Sequence, residues 1–115
     1  EKLKKYIKSK SKLFKLYKKI FLNEKMFTLF HPPKKLSWNY WLITILLESK
    51  YINLRDEIIM KLNKKGINAR PIWQLNHKIN IYKNCPKMNL SNAEKLEKKI
   101  INLPSSAHLL LNEKN

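Results

Sequence analysis

Apolar residues recur at three- and four-residue steps across residues 1–22, and lysines fill most of the positions between them. This spacing places the apolar side chains on one stripe of an amphipathic helix and predicts a helix over residues 1–22. The stripe comprises Leu3, Tyr6, Ile7, Leu13, Phe14, Leu16, Tyr17, Ile20 and Phe21. Such a stripe normally faces a core, although a basic amphipathic helix also suits a membrane surface or a partner's groove.

Four shorter segments are predicted as strands: residues 27–30, 38–47, 67–73 and 100–103. Residues 38–47 are rich in aromatic and β-branched side chains and contain no charge, Gly or Pro, which is typical of a buried central strand. Pro71 predicts that the third strand lies at a sheet edge or contains an irregularity, because proline lacks the N–H of a ladder hydrogen bond. Pro104 is expected to end the fourth strand.

Cap residues mark two further helices. Asn53 is predicted to cap the first of them, and Gly66 follows it where a left-handed C-terminal cap is expected. Ser91 and Glu94 have the spacing of a capping box, which predicts the start of the second. The predicted helices are residues 53–65 and 91–99, and residues 75–90 between them are predicted as an ordered loop.

The order of these elements indicates an α+β domain with a small sheet and helices packed on it. We expect a single domain over residues 1–115, in which residues 1–22 form a connecting helix, residues 27–104 a small α+β domain and residues 105–115 a tail. The sheet or the first helix would keep an uncovered apolar face, so we expect a further domain in a longer parent protein. The first residue, Glu1 rather than Met, agrees with this expectation.

The chain is strongly basic, with 25 Lys and Arg against 8 Asp and Glu and a formal net charge of +17. This balance suits a binding module for nucleic acid or an anionic membrane, which is one hypothesis for the function. However, Arg55 and Arg70 are the only arginines, whereas nucleic-acid surfaces favour Arg for bidentate contacts. Abundant Lys, Asn and Ile with few Ala residues also fit the codon bias of an AT-rich genome.

No catalytic constellation is recognisable in the sequence. Cys85 is the only cysteine, so an internal disulfide and a multi-thiolate zinc site are excluded, and a reducing compartment is the simpler assumption. The spacing of His31, His77 and His108 matches no metal-binding motif. The single glycine, Gly66, rules out a glycine-rich phosphate loop.

The segment of residues 69–77 is the best candidate for chemistry, because it ends a predicted strand and contains Arg70, Trp73 and His77. Arg70 suits a phosphate or carboxylate, Trp73 offers a flat face for stacking, and His77 exchanges a proton near neutral pH. The alternative is a buried structural Trp beside a surface Arg and an incidental His.

A series of motifs in the second half of the chain resembles the C-terminal region of the DegT-type sugar aminotransferases. The motifs are Ala69-Arg70-Pro71-Ile72-Trp73, then His77, Tyr82 and Pro86, then Ala93-Glu94-Lys95-Leu96, then Ile101-Asn102-Leu103-Pro104-Ser105-Ser106. Upstream, residues 38–42 resemble the buried strand near the start of the family's small domain, and residues 1–3 resemble part of its connecting helix. Residues 84–91 are most similar to the branch of legionaminic-acid pathways, with perosamine synthases as a neighbouring branch.

The resemblance implies the small C-terminal domain of a fold-type-I enzyme that uses pyridoxal phosphate. Such an enzyme transfers an amino group from glutamate to a nucleotide-linked 4-keto-6-deoxy sugar, for bacterial surface polysaccharide. The Schiff-base lysine and the other cofactor-binding residues are then expected in a large domain outside this chain, so that the chain alone would be inactive.

The resemblance also implies the partners and the binding residues. Arg70, Trp73, His77 and Tyr82 are expected to line the side of the active site that receives the sugar nucleotide. Arg70 would bind an anionic group and His77 would hydrogen-bond the substrate near the cofactor. A cytoplasmic homodimer is expected, without a nucleic-acid or membrane partner and without a metal.

Overall fold

Four strands form one antiparallel sheet in the computed structural model, which describes residues 1–110. The order of the strands across the sheet is β1-β2-β4-β3, and three helices complete this α+β fold, as predicted. Short 3₁₀ turns join several of these elements. In chain order the helices and strands are α1 (Lys2–Ile20), β1 (Phe27–Leu29), β2 (Ile43–Leu47), α2 (Arg55–Lys64), β3 (Arg70–Pro71), α3 (Ser91–Lys99) and β4 (Ile100–Leu103).

The core lies on one face of the two central strands. Ile43 pairs with Leu103, and Ile45 pairs with Ile101. Because side chains alternate along a strand, these four residues share a face, and all four are buried. Helices α1 and α2 add further buried side chains to the same core cluster, namely Leu13, Phe14 and Ile59.

The opposite face of the central strands is partly polar. Thr44 of β2 pairs with Asn102 of β4, and Arg70 of β3 pairs with Asn102 from the other side. The hydroxyl of Thr44 donates a hydrogen bond to Oδ1 of Asn102 at 2.8 Å. The register therefore places these three side chains in one row across the sheet.

Helix α1 confirms the predicted amphipathic helix but buries only its middle. Leu13 and Phe14 belong to the core, whereas Leu3 and Ile20, which the apolar stripe includes, are exposed. Ser9 is also buried, and its hydroxyl is satisfied by donating to the carbonyl oxygen of Ala107 at 2.6 Å. No helix within residues 1–110 is long and apolar enough to cross a membrane.

The segment that follows β4 is more ordered than the predicted tail. A 3₁₀ turn over Ala107–Leu109 packs against α1, and Tyr17 of that helix donates to the carbonyl oxygen of Pro104 at 3.2 Å. The prediction of a tail is therefore wrong for residues 105–110. Residues 111–115 of the same predicted tail lie outside the described residues.

The predicted strand over residues 38–47 is correct only from Ile43 onward. Tyr40 has a φ of 57°, a left-handed conformation that interrupts extended backbone. The rings of Trp38 and Tyr40 pack on Phe14 instead, with centroid distances of 4.9 and 5.8 Å. The aromatic, uncharged composition of residues 38–42 thus reflects an aromatic cluster, and resemblance to a buried strand there is not supported.

Helix α2 begins later than predicted and ends as predicted. Asn53 lies inside a 3₁₀ helix over Ser49–Leu54, so that it caps nothing and Leu54 occupies the N-cap position. At the other end, Gly66 has a φ of 78°. Its N–H donates to the carbonyl of Asn63, and the N–H of Ile67 donates to that of Leu62, which is the hydrogen-bond pattern of a Schellman motif.

The capping box predicted at α3 is wrong. Ser91 is the first helical residue rather than the cap, and Leu90 at the cap position offers no side-chain hydrogen bond. The Oδ1 atom of Asn89 accepts from the N–H of Ser91 at 3.0 Å, while the carboxylate of Glu94 contacts another part of the chain.

The third strand is also shorter than predicted. Only Arg70 and Pro71 pair with β4, at the edge of the sheet. The edge position agrees with the expectation for Pro71, which has no N–H to donate to a neighbouring strand. The N–H of Ala69 donates to Oδ1 of Asn63 at 2.9 Å, so that it bonds a side chain of α2 rather than a strand.

Replacing Ile101 by Ala tests the core. Ile101 is 0% exposed, so Ile101→Ala should lower the free energy of unfolding by about 2–5 kcal/mol. The matched control is Ile81→Ala, because Ile81 is 76% exposed and should change stability by less than about 0.5 kcal/mol. Urea unfolding followed by tryptophan fluorescence measures both, and equal losses would contradict the assignment of the core.

The two candidate caps of α3 give a second comparison. We expect Asn89→Ala to lower the free energy of unfolding by about 0.5–1 kcal/mol, because its side chain satisfies a helix N–H. Ser91→Ala should have little effect, since Ser91 makes no capping hydrogen bond. Urea unfolding of both variants measures the difference. A larger loss of unfolding free energy for Ser91→Ala than for Asn89→Ala would contradict this assignment and support the capping box.

Candidate functional site

Residues 72–90 connect β3 to α3 and border a pocket of about 670 Å³. Two 3₁₀ turns, Asn76–Lys78 and Asn80–Tyr82, shape this connection. The pocket lies within the usual size range of small-molecule sites. Its lining consists of residues 72–77, 82, 85–88 and 90, so it includes Trp73, His77 and Tyr82 of the predicted site.

His77 is fixed in the pocket wall by helix α3. Its Nε2 atom lies 2.9 Å from Oε1 of Glu94, and its side chain is only 13% exposed. A carboxylate accepts but does not donate, so this contact requires a proton on Nε2. In the neutral ring, Nδ1 is then a hydrogen-bond acceptor, and it has no partner among residues 1–110.

A second glutamate of α3 secures the start of the same connection. One carboxylate oxygen of Glu97 accepts from the N–H of Leu75 at 3.1 Å, and the other pairs with Nζ of Lys78. The hydrogen bond from Lys78 is the main cause that lowers the pKa of Glu97 below its ordinary value, and the N–H of Leu75 adds to it. Because Glu94 and Glu97 are three residues apart, they lie on one face of α3 and hold the connection at three points, Leu75, His77 and Lys78.

An exposed aromatic pair stands beside the pocket. The rings of Trp73 and Trp41 lie 5.8 Å apart, and these residues are 54% and 62% exposed. The guanidinium carbon of Arg70 lies 5.4 Å from the centroid of the Trp73 ring, within the range of a cation–π contact. Trp73 is therefore not the buried structural residue of the alternative interpretation, and its face is open to a ligand.

Arg70 occupies a different position from the other three predicted site residues. It does not line the pocket of Trp73, His77 and Tyr82 but a second cavity across the edge of the sheet. The sequence did not indicate the residues that lie with Arg70 there. Neither did it indicate that Glu94 orients His77, since its spacing from Ser91 suggested a capping role.

Other chemistry is limited in the described part of the chain. Residues 1–110 contain no group of three His, Cys, Asp or Glu side chains arranged to hold a metal ion. Cys85 is a free, exposed thiol in the pocket wall, and Tyr82 contributes a phenol to the same wall. The arrangement therefore offers an imidazole, an indole face and a phenol for binding a polar small molecule.

Comparison with known proteins adds the family. Residues 1–114 match the DegT/DnrJ/EryC1/StrS aminotransferase family. The structure is similar to Helicobacter pylori PseC, an aminotransferase involved in the biosynthesis of pseudoaminic acid, with a TM-score of 0.81 and 25% identity. It shares its fold with the aminotransferase TlmJ from Streptoalloteichus hindustanus (TM-score 0.77, 14% identity). The same holds for Spr1654 from Streptococcus pneumoniae, described as a sugar aminotransferase (TM-score 0.74, 19% identity).

The chain corresponds to only part of these proteins. The matches cover 91%, 89% and 89% of this chain but 29%, 27% and 26% of PseC, TlmJ and Spr1654. No curated protein sequence matches the chain.

The contacts of Glu97 with Leu75 and Lys78 predict that the stability of the fold depends on pH. The pKa of Glu97 is lower in the folded chain than its ordinary value, so the ionised carboxylate stabilises the fold. This contribution is complete above the ordinary pKa of Glu, about 4.3, and is lost as the pH falls through the lower folded-state value. We therefore expect Glu97→Gln to reduce stability at pH 7 and to flatten the decline of the unfolding free energy in acid.

Unfolding by urea at a series of pH values between about 7 and 3 measures this effect across the range in which carboxylates titrate. Glu48→Gln is the control, because Glu48 is exposed and forms no ion pair within residues 1–110. An identical pH profile for Glu97→Gln and Glu48→Gln would contradict the stabilising role of the ionised Glu97 carboxylate.

Proposed function

The chain belongs to the DegT/DnrJ/EryC1/StrS aminotransferase family, and we propose that it is the C-terminal part of a sugar aminotransferase. The parent enzyme would transfer an amino group from glutamate to a nucleotide-linked 4-keto-6-deoxy sugar, for bacterial surface polysaccharide. The observation that carries this proposal is the pocket in which Trp73, His77 and Tyr82 meet. Those are three of the residues that the family motifs single out.

The chemistry of the pocket supports a sugar as the ligand. The indole of Trp73 provides an apolar face for a pyranose ring, while Nδ1 of His77 and the hydroxyl of Tyr82 offer hydrogen bonds to sugar hydroxyls. The contact with Glu94 holds the imidazole in one orientation, which reduces the entropy lost when a substrate binds. In this arrangement Glu94 is a positioning residue and His77 contacts the substrate.

We propose the branch of sugar pathways from one part of the pocket lining. Residues 85–88 form that part, and they belong to the segment 84–91 that resembles the legionaminic-acid branch. The similarity to PseC supports an acidic-sugar pathway over the perosamine branch. Discrimination among sugar substituents would occur at this part of the pocket lining.

The described residues do not fit pyridoxal phosphate itself. The cofactor needs a lysine for its covalent attachment, an acidic partner for its ring nitrogen and a phosphate cradle. Lys87 lines the pocket beside Trp73 but is exposed, no lysine within residues 1–110 is buried, and neither carboxylates nor glycines line that pocket. We propose that a large domain of the parent protein holds the cofactor, which supplies the electron sink, and that this chain contributes substrate contacts.

Exposed apolar side chains support a larger assembly. Leu3, Ile20 and Leu22 of the N-terminal region and Met88 beside the pocket are exposed, and single copies of this chain would leave them in water. We propose that the large domain and a second subunit cover this surface in a cytoplasmic homodimer, as the family resemblance implies.

A basic binding module for nucleic acid or an anionic membrane is the second candidate. The exposed lysines of α1 favour it, together with the net charge of +17. The burial of Leu13 and Phe14 weakens the membrane version, because the middle of the apolar stripe already faces the core. Binding to DNA or acidic vesicles that falls steeply with salt would support this candidate.

Amination assays of the complete parent protein test the proposal. We expect glutamate to bleach the absorbance of the bound cofactor, and the 115-residue chain alone to show no transfer. His77→Gln should lower kcat/KM for the sugar nucleotide by about 10- to 100-fold, the effect of removing one or two hydrogen bonds. The bleaching by glutamate should be unchanged, because His77 contacts the sugar.

His108→Gln is the matched control, since His108 is exposed and lies outside the pocket. A parent protein that glutamate does not bleach would refute the aminotransferase. A normal bleaching with equal kcat/KM for His77→Gln and His108→Gln would keep the aminotransferase but reject the pocket as the sugar site.

A further inference from the structure

Asn102 has a buried hydrogen-bond donor that no group within residues 1–110 accepts from. The residue is 3% exposed, and its Oδ1 accepts from Thr44. Its Nδ2 atom has no partner among residues 1–110. Buried polar groups are nearly always paired, so an unpaired amide in the middle of a sheet indicates a missing acceptor.

The donor belongs to a residue that lines a cavity of about 410 Å³. Lys10 of α1, Asn68 and Arg70 of the β3 edge, and Ser105 after β4 line the same cavity. No carboxylate contributes to its lining. Three separate parts of the chain therefore place two cations and several polar side chains around one space, and none brings a negative charge.

The two cations of this cavity keep free donors. Lys10 donates one N–H to the carbonyl of Tyr40 at 3.4 Å, and its ammonium group has two further N–H donors. Arg70 forms no ion pair among the described residues, and its guanidinium lies over the face of Trp73. The pairing of β3 with β4 sets Arg70 directly opposite Asn102, on the same face of the sheet.

We propose that this cavity is an oxyanion site, in which Arg70, Lys10 and the amide of Asn102 bind a phosphate or carboxylate group. An oxyanion supplies the acceptor that Nδ2 lacks and the charge that the two cations lack. A water molecule would give the amide an acceptor but would not neutralise the two cations. The lining residues of this site are not those of the pocket of His77, and Trp73, which lines that pocket, contacts Arg70 through the face of its ring.

The source of the oxyanion rests on the proposed function. A sugar-nucleotide substrate brings phosphates, and an amino donor such as glutamate brings carboxylates. A single ligand that crosses Trp73 would place its sugar beside His77 and its phosphates beside Arg70. The alternative is that the amino donor uses this site in its own half of the reaction.

Titration of the ¹⁵N-labelled chain, residues 1–115, tests the site without the cofactor. Sodium pyrophosphate and sodium glutamate are added in separate arms at constant ionic strength, and the side-chain NH₂ signals of Asn102 are followed. We expect a saturable shift in at least one arm. Arg70→Gln should weaken the binding by about tenfold or more, as for the loss of a charge-assisted hydrogen bond. Lys34→Gln, at an exposed lysine outside the cavity, should not.

A response to pyrophosphate alone would assign the site to the nucleotide phosphates, and a response to glutamate alone would assign it to the amino donor. Both results support an oxyanion site. The absence of a saturable shift in either arm, or equal weakening by Arg70→Gln and Lys34→Gln, would overturn it. Asn102→Leu is a second variant that removes the amide. If it fails to fold, Arg70→Gln still decides the question, because Arg70 is exposed and its replacement should leave the fold intact.

These results are independent of the amination assays. A parent protein that aminates a sugar nucleotide while the signals of Asn102 stay unchanged would reject the oxyanion site and keep the proposed function. Anion binding at Asn102 in a parent protein without transferase activity would support the oxyanion site and reject the proposed function.

Discussion

Ile43, Ile45, Ile101 and Leu103 leave water together only when β2 and β4 pair in one register. A shift by one residue would turn the apolar side chains of one strand away from those of the other, so hydrophobic burial fixes the register strongly. The same register places Thr44 beside Asn102 and Arg70 on the other face. The apolar core thus determines where the polar row of the sheet lies, and with it the second cavity.

The pocket depends on a second constraint, which is the attachment of residues 72–90 to α3. Glu94 contacts His77, and Glu97 contacts Leu75 and Lys78. Because α3 runs directly into the buried strand β4, these contacts tie the pocket wall to the core. The backbone hydrogen bonds within the connection form its two 3₁₀ turns, and these side-chain contacts fix the turns against α3.

The sequence predicted the elements that have a clear period or a special backbone residue. Helix α1, strand β4 and the left-handed Gly66 are examples. The errors occurred where tertiary contacts decide the structure. The aromatic residues before Ile43 pack on Phe14, and the first residues after Pro104 pack on α1, which no local pattern reveals.

The candidate site divides in the same way. Trp73 and His77 were recognisable because they lie close in sequence at the end of a predicted strand, whereas Tyr82 was predicted from the family resemblance. The cavity of Lys10, Arg70 and Asn102 was not, because its members come from three distant segments that only the sheet and α1 bring together. A local motif also assigned Glu94 to a helix cap, although its carboxylate contacts the imidazole of His77.

A crystal structure of the parent protein with a bound nucleotide sugar tests most directly whether this chain forms the sugar side of an aminotransferase site. We expect the sugar ring against Trp73 with a hydroxyl within hydrogen-bond distance of His77. A sugar nucleotide held only by residues outside this chain would contradict that role.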